Sequence, residues 1–120
     1  MHLHEIIDEI KHHPNAGKIG MILSHTGIVR GESRDGRTVS GLTVAVDHER
    51  LKQIVDREKQ SPGIVDIRVE IVENTPLAVG DEIMRMVVAG DIRDNVIPVL
   101  ERTLNAVKET VTQKTENFVY

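Results

Sequence analysis

The apolar residues of the C-terminal quarter recur with the spacing of a helix, and this pattern constrains the fold more than any other feature of the chain. Counted along the sequence, they follow one another at steps of four, four, three and four: Val96, Leu100, Leu104, Val107 and Val111. This spacing places them on one face of an amphipathic helix. Asp94 or Asn95 is suited to cap its start, and Pro98 is tolerated in a first turn. The sequence therefore predicts a long final helix, whose apolar pattern runs to Val111.

Lys108 borders the apolar face of this helix. It follows Leu104 by four residues, so its side chain projects from the same side, and its ammonium reaches the rim of the surface against which the helix packs. Arg93 stands at the entrance to the helix. A lysine on a helix is most often simply solvated. Lys108 is nevertheless the first candidate for chemistry in this sequence.

Alternating apolar and polar residues predict the strands of a sheet. Residues 65–71 give the clearest case, because four apolar residues are separated by three charged ones, which predicts one buried and one solvated face. Residues 82–89 predict a second strand, on which Arg85 either reaches solvent, as we expect, or faces an interface. Residues 18–30 predict a third strand, interrupted near residues 24–26.

A strong turn signal follows this third strand. Asp35-Gly36 precedes a further alternating run at residues 39–46, so the sequence predicts a hairpin with a charged loop. Arg34 and Arg37 lie on that loop and are candidates for holding an anion. Charged hairpin tips are usually only solvated, which leaves the simpler interpretation open.

Two shorter helices complete the predicted elements. Residues 3–10 carry apolar side chains on one helical face, and residues 48–59 do the same after Asp47, a good N-cap. The order helix, hairpin, helix, strand, strand, helix predicts an α+β fold with mainly antiparallel sheet and three helices. With 120 residues and no linker or repeat, residues 1–120 are expected to form a single domain.

Composition narrows the classes of function. The net charge is −4, and Phe118 and Tyr120 are the only aromatic rings, so the chain has neither the basic face nor the stacking platform of a nucleic-acid-binding protein. No apolar run is long enough to span a bilayer, and the N-terminal residues lack the pattern of a signal peptide. We expect a cytoplasmic protein with no membrane partner.

The chain contains no cysteine. It therefore has no thiolate nucleophile, persulfide carrier or cysteine metal site, and any sulfur chemistry must use sulfur held by another molecule. His2, His4, His12 and His13 cluster near the N terminus, but no acidic residue or further histidine recurs with them at ligand spacing. No metal and no cofactor are expected.

The order of several segments resembles one known family. These segments are Ser24-His25-Thr26-Gly27-Ile28-Val29-Arg30 with the charged loop after it, the helix that follows the hairpin, Pro76 to Glu82, the next strand, Arg93, and the long helix with Lys108. From about Gly17 to Phe118 the chain is similar to the large, catalytic subunit of molybdopterin synthase. The resemblance implies an α/β hammerhead-type domain that forms a homodimer within a heterotetramer.

The resemblance also implies an activity and partners. In this family a ubiquitin-like sulfur-carrier small subunit bears a thiocarboxylate on its C-terminal Gly-Gly, and that tail enters a pocket of the large subunit. The enzyme is a sulfurtransferase that passes two sulfurs to cyclic pyranopterin monophosphate and so makes molybdopterin for molybdenum cofactor biosynthesis. A chain without cysteine fits this scheme because the sulfur arrives on the partner.

The resemblance implies roles for four residues. Lys108 matches the first essential lysine of the family, and Lys114 lies one residue before the position of the second, so both are assigned to catalysis. Arg30 and Arg93 match arginines that contact anionic substrate, and Arg37 in the charged loop is a further anion-binding candidate. Guanidinium groups suit thiocarboxylates and phosphates because they form paired, charge-assisted hydrogen bonds.

Three positions depart from the family pattern. Ile92 stands in place of a histidine, Leu104 in place of a methionine, and Thr115 in place of the second essential lysine. On a continuous helix, displacement by one residue rotates Lys114 by roughly 100° from that position. Two alternatives therefore stand beside the enzyme: a catalytically impaired relative that binds an anion, a pterin or a ubiquitin-like tail, and an unrelated α+β interaction protein.

Overall fold

The computed structural model describes residues 2–119, and within that range the chain forms three α-helices and two three-stranded antiparallel sheets. In chain order the elements are α1 (Leu3–Lys11), β1 (Met21–Ile28), β2 (Val39–Val46), α2 (His48–Lys59), β3 (Ile64–Ile71), β4 (Leu77–Ala78), β5 (Glu82–Gly90), α3 (Arg93–Thr110) and β6 (Thr112–Phe118). The strand order is β1-β5-β3 in the first sheet and β4-β2-β6 in the second. The predicted α+β class with mainly antiparallel sheet is confirmed.

Helices cover both faces of the first sheet. Ile6 and Ile10 of α1 pack against Val87 on one face. Met86 is fully buried on the other face, where it packs against α2 and α3, because successive residues of a strand point to opposite sides. Thr110 at the end of α3 leads directly into β6 of the second sheet, so the last helix connects the two sheets.

The charged face predicted for β3 is only partly solvated. Asp66 is buried, accepts a hydrogen bond from Arg68 Nε at 3.0 Å and lies 3.3 Å from Lys59 Nζ. Arg68 also donates to Glu9 of α1 at 2.7 Å. The prediction of a fully solvated face is wrong because α1 packs on part of it, and the buried carboxylate of Asp66 is paired with cations, as a buried charge must be.

Arg85 also departs from expectation. Its side chain is 13% exposed, and it forms an ion pair with Glu82 of the same strand. It occupies an odd-numbered position of β5, on the same face as Val87, which α1 covers. The expectation that Arg85 reaches solvent is therefore wrong.

The predicted hairpin is correct at its turn and wrong for its strands. Glu32 and Thr38 form a single antiparallel bridge, and Gly36 adopts the positive φ of 87° that the turn requires. The two flanking strands, however, belong to different sheets, because β1 pairs with β5 and β2 pairs with β6. Sequence-local signals identified the turn, but the strand partners lie far along the chain.

β1 is also continuous where an interruption was predicted. It runs from Met21 to Ile28, and its only register shift against β5 falls between Gly27 and Ile28. The chain then leaves the first sheet: Val29 donates its N–H to the carbonyl of Asp81 at 2.9 Å and packs into the core of the second sheet. This crossing places the charged loop beside both sheets.

The N-cap of α3 lies two or three residues before the predicted position. Ile92 occupies the N-cap position and Arg93 is the first helical residue, so the caps predicted at Asp94 or Asn95 are wrong. Asp91 takes over part of that role, because its carboxylate accepts hydrogen bonds from Ile92 N at 2.6 Å and from Asn95 Nδ2 at 2.9 Å.

The end of α3 differs more. The helix stops at Thr110, and Thr112–Phe118 forms β6, which pairs with β2 so that Val44 lies opposite Lys114. The rotation expected for Lys114 assumed a helix that continues through residues 112–116. The correction has a physical reason: β2 needs a hydrogen-bonding partner along this edge, and a tertiary demand of that kind overrides local helical preference.

The second helix agrees with the sequence pattern. It spans His48–Lys59 as predicted, and the Asp47 side chain caps it by accepting a hydrogen bond from Arg50 N at 3.0 Å. Near its other end, the buried carboxylate of Glu58 is held by Arg102 of α3.

None of the helices in residues 2–119 is both long and apolar enough to cross a membrane.

Candidate functional site

An open cleft of about 880 Å³ lies where the two sheets and the C-terminal half of α3 meet. The ends of β1 and β3 and the start of β5 form one side, and β2 and β6 form the other. The loop after β1 closes one end. No single segment of the chain builds this cleft, so its lining could not be assembled from local sequence patterns.

Four cationic side chains line the cleft, and they come from three parts of the chain: Arg30 and Arg34 from the segment after β1, Lys108 from α3, and Lys114 from β6. All four residues are exposed to solvent. Lys108 follows the buried Val107 directly, which sets it at the border of the packed helical face. These four cations outnumber the three carboxylates that also line the cleft, so a small excess of positive charge lies in one concave place, which favours anions.

Lys114 reaches the cleft because β6 is a strand. Thr112, Lys114 and Glu116 line the cleft, while Gln113 and Thr115 do not. This alternation follows from the two-residue period of a strand. The displacement of the lysine by one residue from the family position thus has a different consequence from the rotation expected on a helix: Lys114 faces the cleft, and Thr115 faces the opposite side.

Arg93 and Arg37 do not line this cleft. Arg93 opens α3, fifteen residues before Lys108, which corresponds to roughly 22 Å along the helix axis. Arg37 forms an ion pair with Asp35 at 3.0 Å, and its guanidinium carbon lies 3.7 Å from the centroid of the Phe118 ring. Of the two arginines considered on the loop, Arg34 is the one that lines the cleft.

His25 is a cleft residue to which sequence reasoning assigned no role. It lies on β1 opposite Met86, so its side chain shares the face covered by α3. Burial, and secondly the positive charge of Lys108, lower the pKa of the imidazole from its ordinary value of 6.5. Strand alternation could have placed His25 and Gly27 on one face, but the sequence did not show that α3 would cover that face.

Acidic and apolar residues complete the lining. Glu32, Glu109 and Glu116 border the cations, and Glu116 Oε1 lies 3.8 Å from Lys114 Nζ. The apolar wall is made by Ile28, Leu42, Val44, Ile71, Ile83 and Met84. A cleft with an apolar wall and convergent cations suits a ligand that has an anionic group attached to a less polar body.

Metal binding has no support in this part of the molecule or elsewhere in residues 2–119. No group of three or more His, Cys, Asp or Glu side chains within that range is arranged to hold an ion. The chemistry available in the cleft is that of ammonium, guanidinium, imidazole and carboxylate groups.

Comparisons with known proteins show what the chain is similar to. A family model described as MoaE protein matches residues 1–110. Similar solved structures include molybdopterin synthase from Staphylococcus aureus, with 23% identity, a TM-score of 0.71, and coverage of 84% of this chain and 76% of that chain. The molybdopterin biosynthesis MoaE protein from Burkholderia ambifaria has 18% identity and a TM-score of 0.76, covering 99% and 82%.

A third solved structure is a protein–protein complex of subunits 1 and 2 of the molybdopterin-converting factor from Helicobacter pylori. It has 18% identity and a TM-score of 0.72, covering 98% of this chain and 80% of that chain. No curated protein matches the sequence. The structural likeness at these identities concerns the fold, and the family match covers most of the chain.

Proposed function

Since the chain belongs to the MoaE protein family, whose members are the catalytic subunits of molybdopterin synthase in molybdenum cofactor biosynthesis, we propose that it is a sulfurtransferase. It takes sulfur from the thiocarboxylated C-terminal Gly-Gly of a ubiquitin-like small subunit. It delivers that sulfur to cyclic pyranopterin monophosphate and so forms molybdopterin.

The observation that carries this proposal is the meeting of Lys108, Lys114 and Arg30 in one cleft. The three residues are separated by up to 84 positions in the sequence and belong to a helix, a strand and a loop. Both expected substrates are anionic, one as a thiocarboxylate and the other as a phosphate. Guanidinium and ammonium groups bind such anions through charge-assisted hydrogen bonds.

The shape of the cleft supports the same substrates. Its volume of about 880 Å³ lies in the upper part of the range that small-molecule sites occupy. An extended Gly-Gly tail is narrow because it has no side chains, so it can share such a space with a pterin. The small subunit supplies the sulfur, as a chain with no cysteine requires.

Within this proposal Lys108 and Lys114 are the catalytic residues, and Arg30 binds the substrate anion. Arg34 joins Arg30 in that role because it lines the cleft. Arg93 and Arg37 remain anion-binding candidates at other positions. We propose that Arg93 acts on the cleft of a second copy in a homodimer, because its own cleft is roughly 22 Å away along α3.

The alternative of a binding module without sulfur transfer is favoured by one observation. Ile92, which stands where the family has a histidine, is 55% exposed and contributes no polar group. If that histidine is essential, the cleft would bind a ubiquitin-like tail or a pterin without turning it over. The two proposals differ in product formation and agree on binding.

The decisive experiment mixes the purified protein with a thiocarboxylated small subunit and cyclic pyranopterin monophosphate, and it measures dithiolene product. The Lys108→Ala variant should lose at least 100-fold in rate, on the order expected for a group that acts in the chemical step. Lys52→Ala is the matched control, because Lys52 is an exposed helical lysine paired with Asp56 outside the cleft.

Three outcomes separate the alternatives. Product from the wild type and from Lys52→Ala but not from Lys108→Ala supports the sulfurtransferase. Unchanged product formation by Lys108→Ala would remove the proposed site. Tight binding of the small subunit with no product from the wild type would favour the binding module.

A further inference from the structure

The imidazole of His25 has an unsatisfied nitrogen inside the cleft. Its Nε2 is buried and has no hydrogen-bond partner within residues 2–119. A buried polar atom without a partner has lost its hydrogen bonds to water and gained none in return, so native structures rarely retain one without a use. The residue lines the cleft, which makes a ligand the natural partner for this atom.

We propose that His25 is a ligand-binding residue of the cleft, whose Nε2 takes up a proton from solvent when an anionic group enters and then donates a hydrogen bond to that group. The inference rests on the proposed function only for the identity of the anion. No covalent bond forms or breaks in this step, and the proton returns to solvent when the anion leaves.

Gly27 leaves the space beside Nε2 without a side chain. A Cβ atom at position 27 would lie 3.8 Å from His25 Nε2 and 3.2 Å from Met84 Cγ, so a side chain there would fill the space beside the imidazole. Gly27 and His25 both line the cleft on the same face of β1. The glycine therefore leaves the space beside the ring free of a side chain, and in this space the imidazole can turn to present Nε2 to a small anionic group in the cleft.

The charges around His25 favour a neutral ring in the empty cleft. The charged residues that line the cleft are Lys108 and Glu109 of α3, Lys114 and Glu116 of β6, and Arg30, Glu32 and Arg34 of the segment after β1. β5, on which the ring rests, presents Met84 and Met86 on this face and Arg85 on the other. Lys108 is the charge that acts on the ring, and together with burial it lowers the pKa of His25.

A bound anion favours the protonated form of the His25 ring instead. Once a negative group lies among these cations, a proton on His25 gains an attractive partner, so the pKa of His25 is higher in the complex than in the empty cleft. By linkage, anion affinity then rises as the pH falls through the higher pKa and levels off below the lower one. Each unit of difference between the two pKa values changes the affinity by about tenfold.

The test uses sulfate as the probe, because sulfate keeps its charge across the range of about pH 5 to 8 in which imidazole titrates. The pH titration of the His25 ring signal is followed by NMR with and without saturating sulfate, and the affinity for sulfate is measured across the same range. His25→Gln identifies the signal and removes the titration. His48→Gln is the control, because His48 is exposed and paired with Glu73 outside the cleft.

We expect sulfate to shift the His25 titration to higher pH and to leave the His48 signal unchanged. Sulfate affinity should fall by about tenfold or more as the pH is raised through the range in which imidazole titrates, and in His25→Gln this pH dependence should disappear while binding through the cations persists. A His25 titration that is identical with and without sulfate would overturn the inference. So would the absence of sulfate binding, or a pH dependence retained in His25→Gln.

A second probe separates this inference from the proposed function. An N-acetylated peptide that ends in Gly-Gly carries one carboxylate, which stays ionised near neutral pH, and it has no group that titrates in that range. If sulfate behaves as expected and the peptide does not bind, the role of His25 stands and the proposed tail-binding function is weakened. Because the titration is read from the wild-type protein, the test does not depend on the stability of a substituted chain.

Discussion

Replacing Glu58 by glutamine tests how α3 is held in the position that brings Lys108 to the cleft. The Glu58 side chain is 4% exposed, and both of its carboxylate oxygens accept hydrogen bonds from Arg102 Nε, at 2.8 and 3.1 Å. Ser61 Oγ and Arg57 Nε each lie 3.3 Å away. This cluster joins α2 to α3 in the part of the molecule on which the cleft depends.

The expected loss in the free energy of unfolding follows from these contacts. A hydrogen bond to a charged group contributes about 1.5–3 kcal/mol, and since Arg102 is 53% exposed its share is reduced by solvent screening. Glutamine keeps the shape and one acceptor oxygen but turns an NH₂ group toward the donors of Arg102. We expect Glu58→Gln to lower the free energy of unfolding by about 2 kcal/mol, which corresponds to roughly 8 °C in Tm for a chain of this size.

The pH dependence of the stability difference between wild type and Glu58→Gln is an internal check. The hydrogen bond from Arg102 is the main cause that lowers the pKa of Glu58 below its ordinary value of 4.5. A carboxyl group with a lowered pKa in the folded state stabilises the protein above its unfolded pKa and loses that contribution as the pH falls through the folded pKa. The difference between wild type and Glu58→Gln should therefore be full at neutral pH and shrink below about pH 4.5.

Urea unfolding followed by circular dichroism measures both the loss of stability and its pH dependence. Arg102→Met should cost more than Glu58→Gln, about 3 kcal/mol, because it leaves the buried carboxylate without its main partner. The double variant should cost less than the sum of the two, since the residues act as one unit. Stability of Glu58→Gln within about 0.5 kcal/mol of wild type at neutral pH would refute the role given to this cluster.

Two further predictions concern the backbone at Gly20 and the strand that carries Lys114. Gly20→Ala should destabilise the fold by about 2 kcal/mol or more, because the new Cβ would lie 2.0 Å from the carbonyl oxygen of Asp91. Gly17→Ala is the control and should be nearly neutral, because no atom lies within 4 Å of its Cβ. Thermal unfolding compares the two variants, and equal Tm values would contradict the packing at Gly20. If the proposed sulfur transfer is correct, Lys114→Ala should reduce it, and adding Thr115→Lys should not restore it, because residue 115 faces away from the cleft. A rescue in the rate assay would show that β6 does not hold this register in solution.

Local signals in the sequence were sufficient for the elements whose stability is local. The helix at His48–Lys59 has its cap at Asp47 and its apolar stripe within twelve residues, so its bounds follow from the sequence. The turn at Gly36 is likewise set by its own residues. The family, and with it the fold, could be identified because the order of such segments is distinctive even where no single segment is.

Elements that depend on distant partners could not be predicted in the same way. β1 pairs with β5, about sixty residues away, and the sequence between them carries no sign of that choice. Asp66 and Arg85 were expected in solvent because alternation shows that a strand has two faces but not what covers each face. The same limit hid His25, whose position in the cleft depends on α3 packing over β1.

The candidate site shows most clearly why residue spacing needs the correct element type. On a helix, Lys114 and Thr115 would differ by roughly 100°, and neither would be a simple substitute for the other. On β6 they point to opposite sides, and the register with β2 that sets Lys114 opposite Val44 decides which of them faces the cleft. A lysine one residue from the family position therefore keeps an ammonium in the cleft beside Lys108, and the chemistry proposed for this chain depends on the transition from helix to strand at Val111.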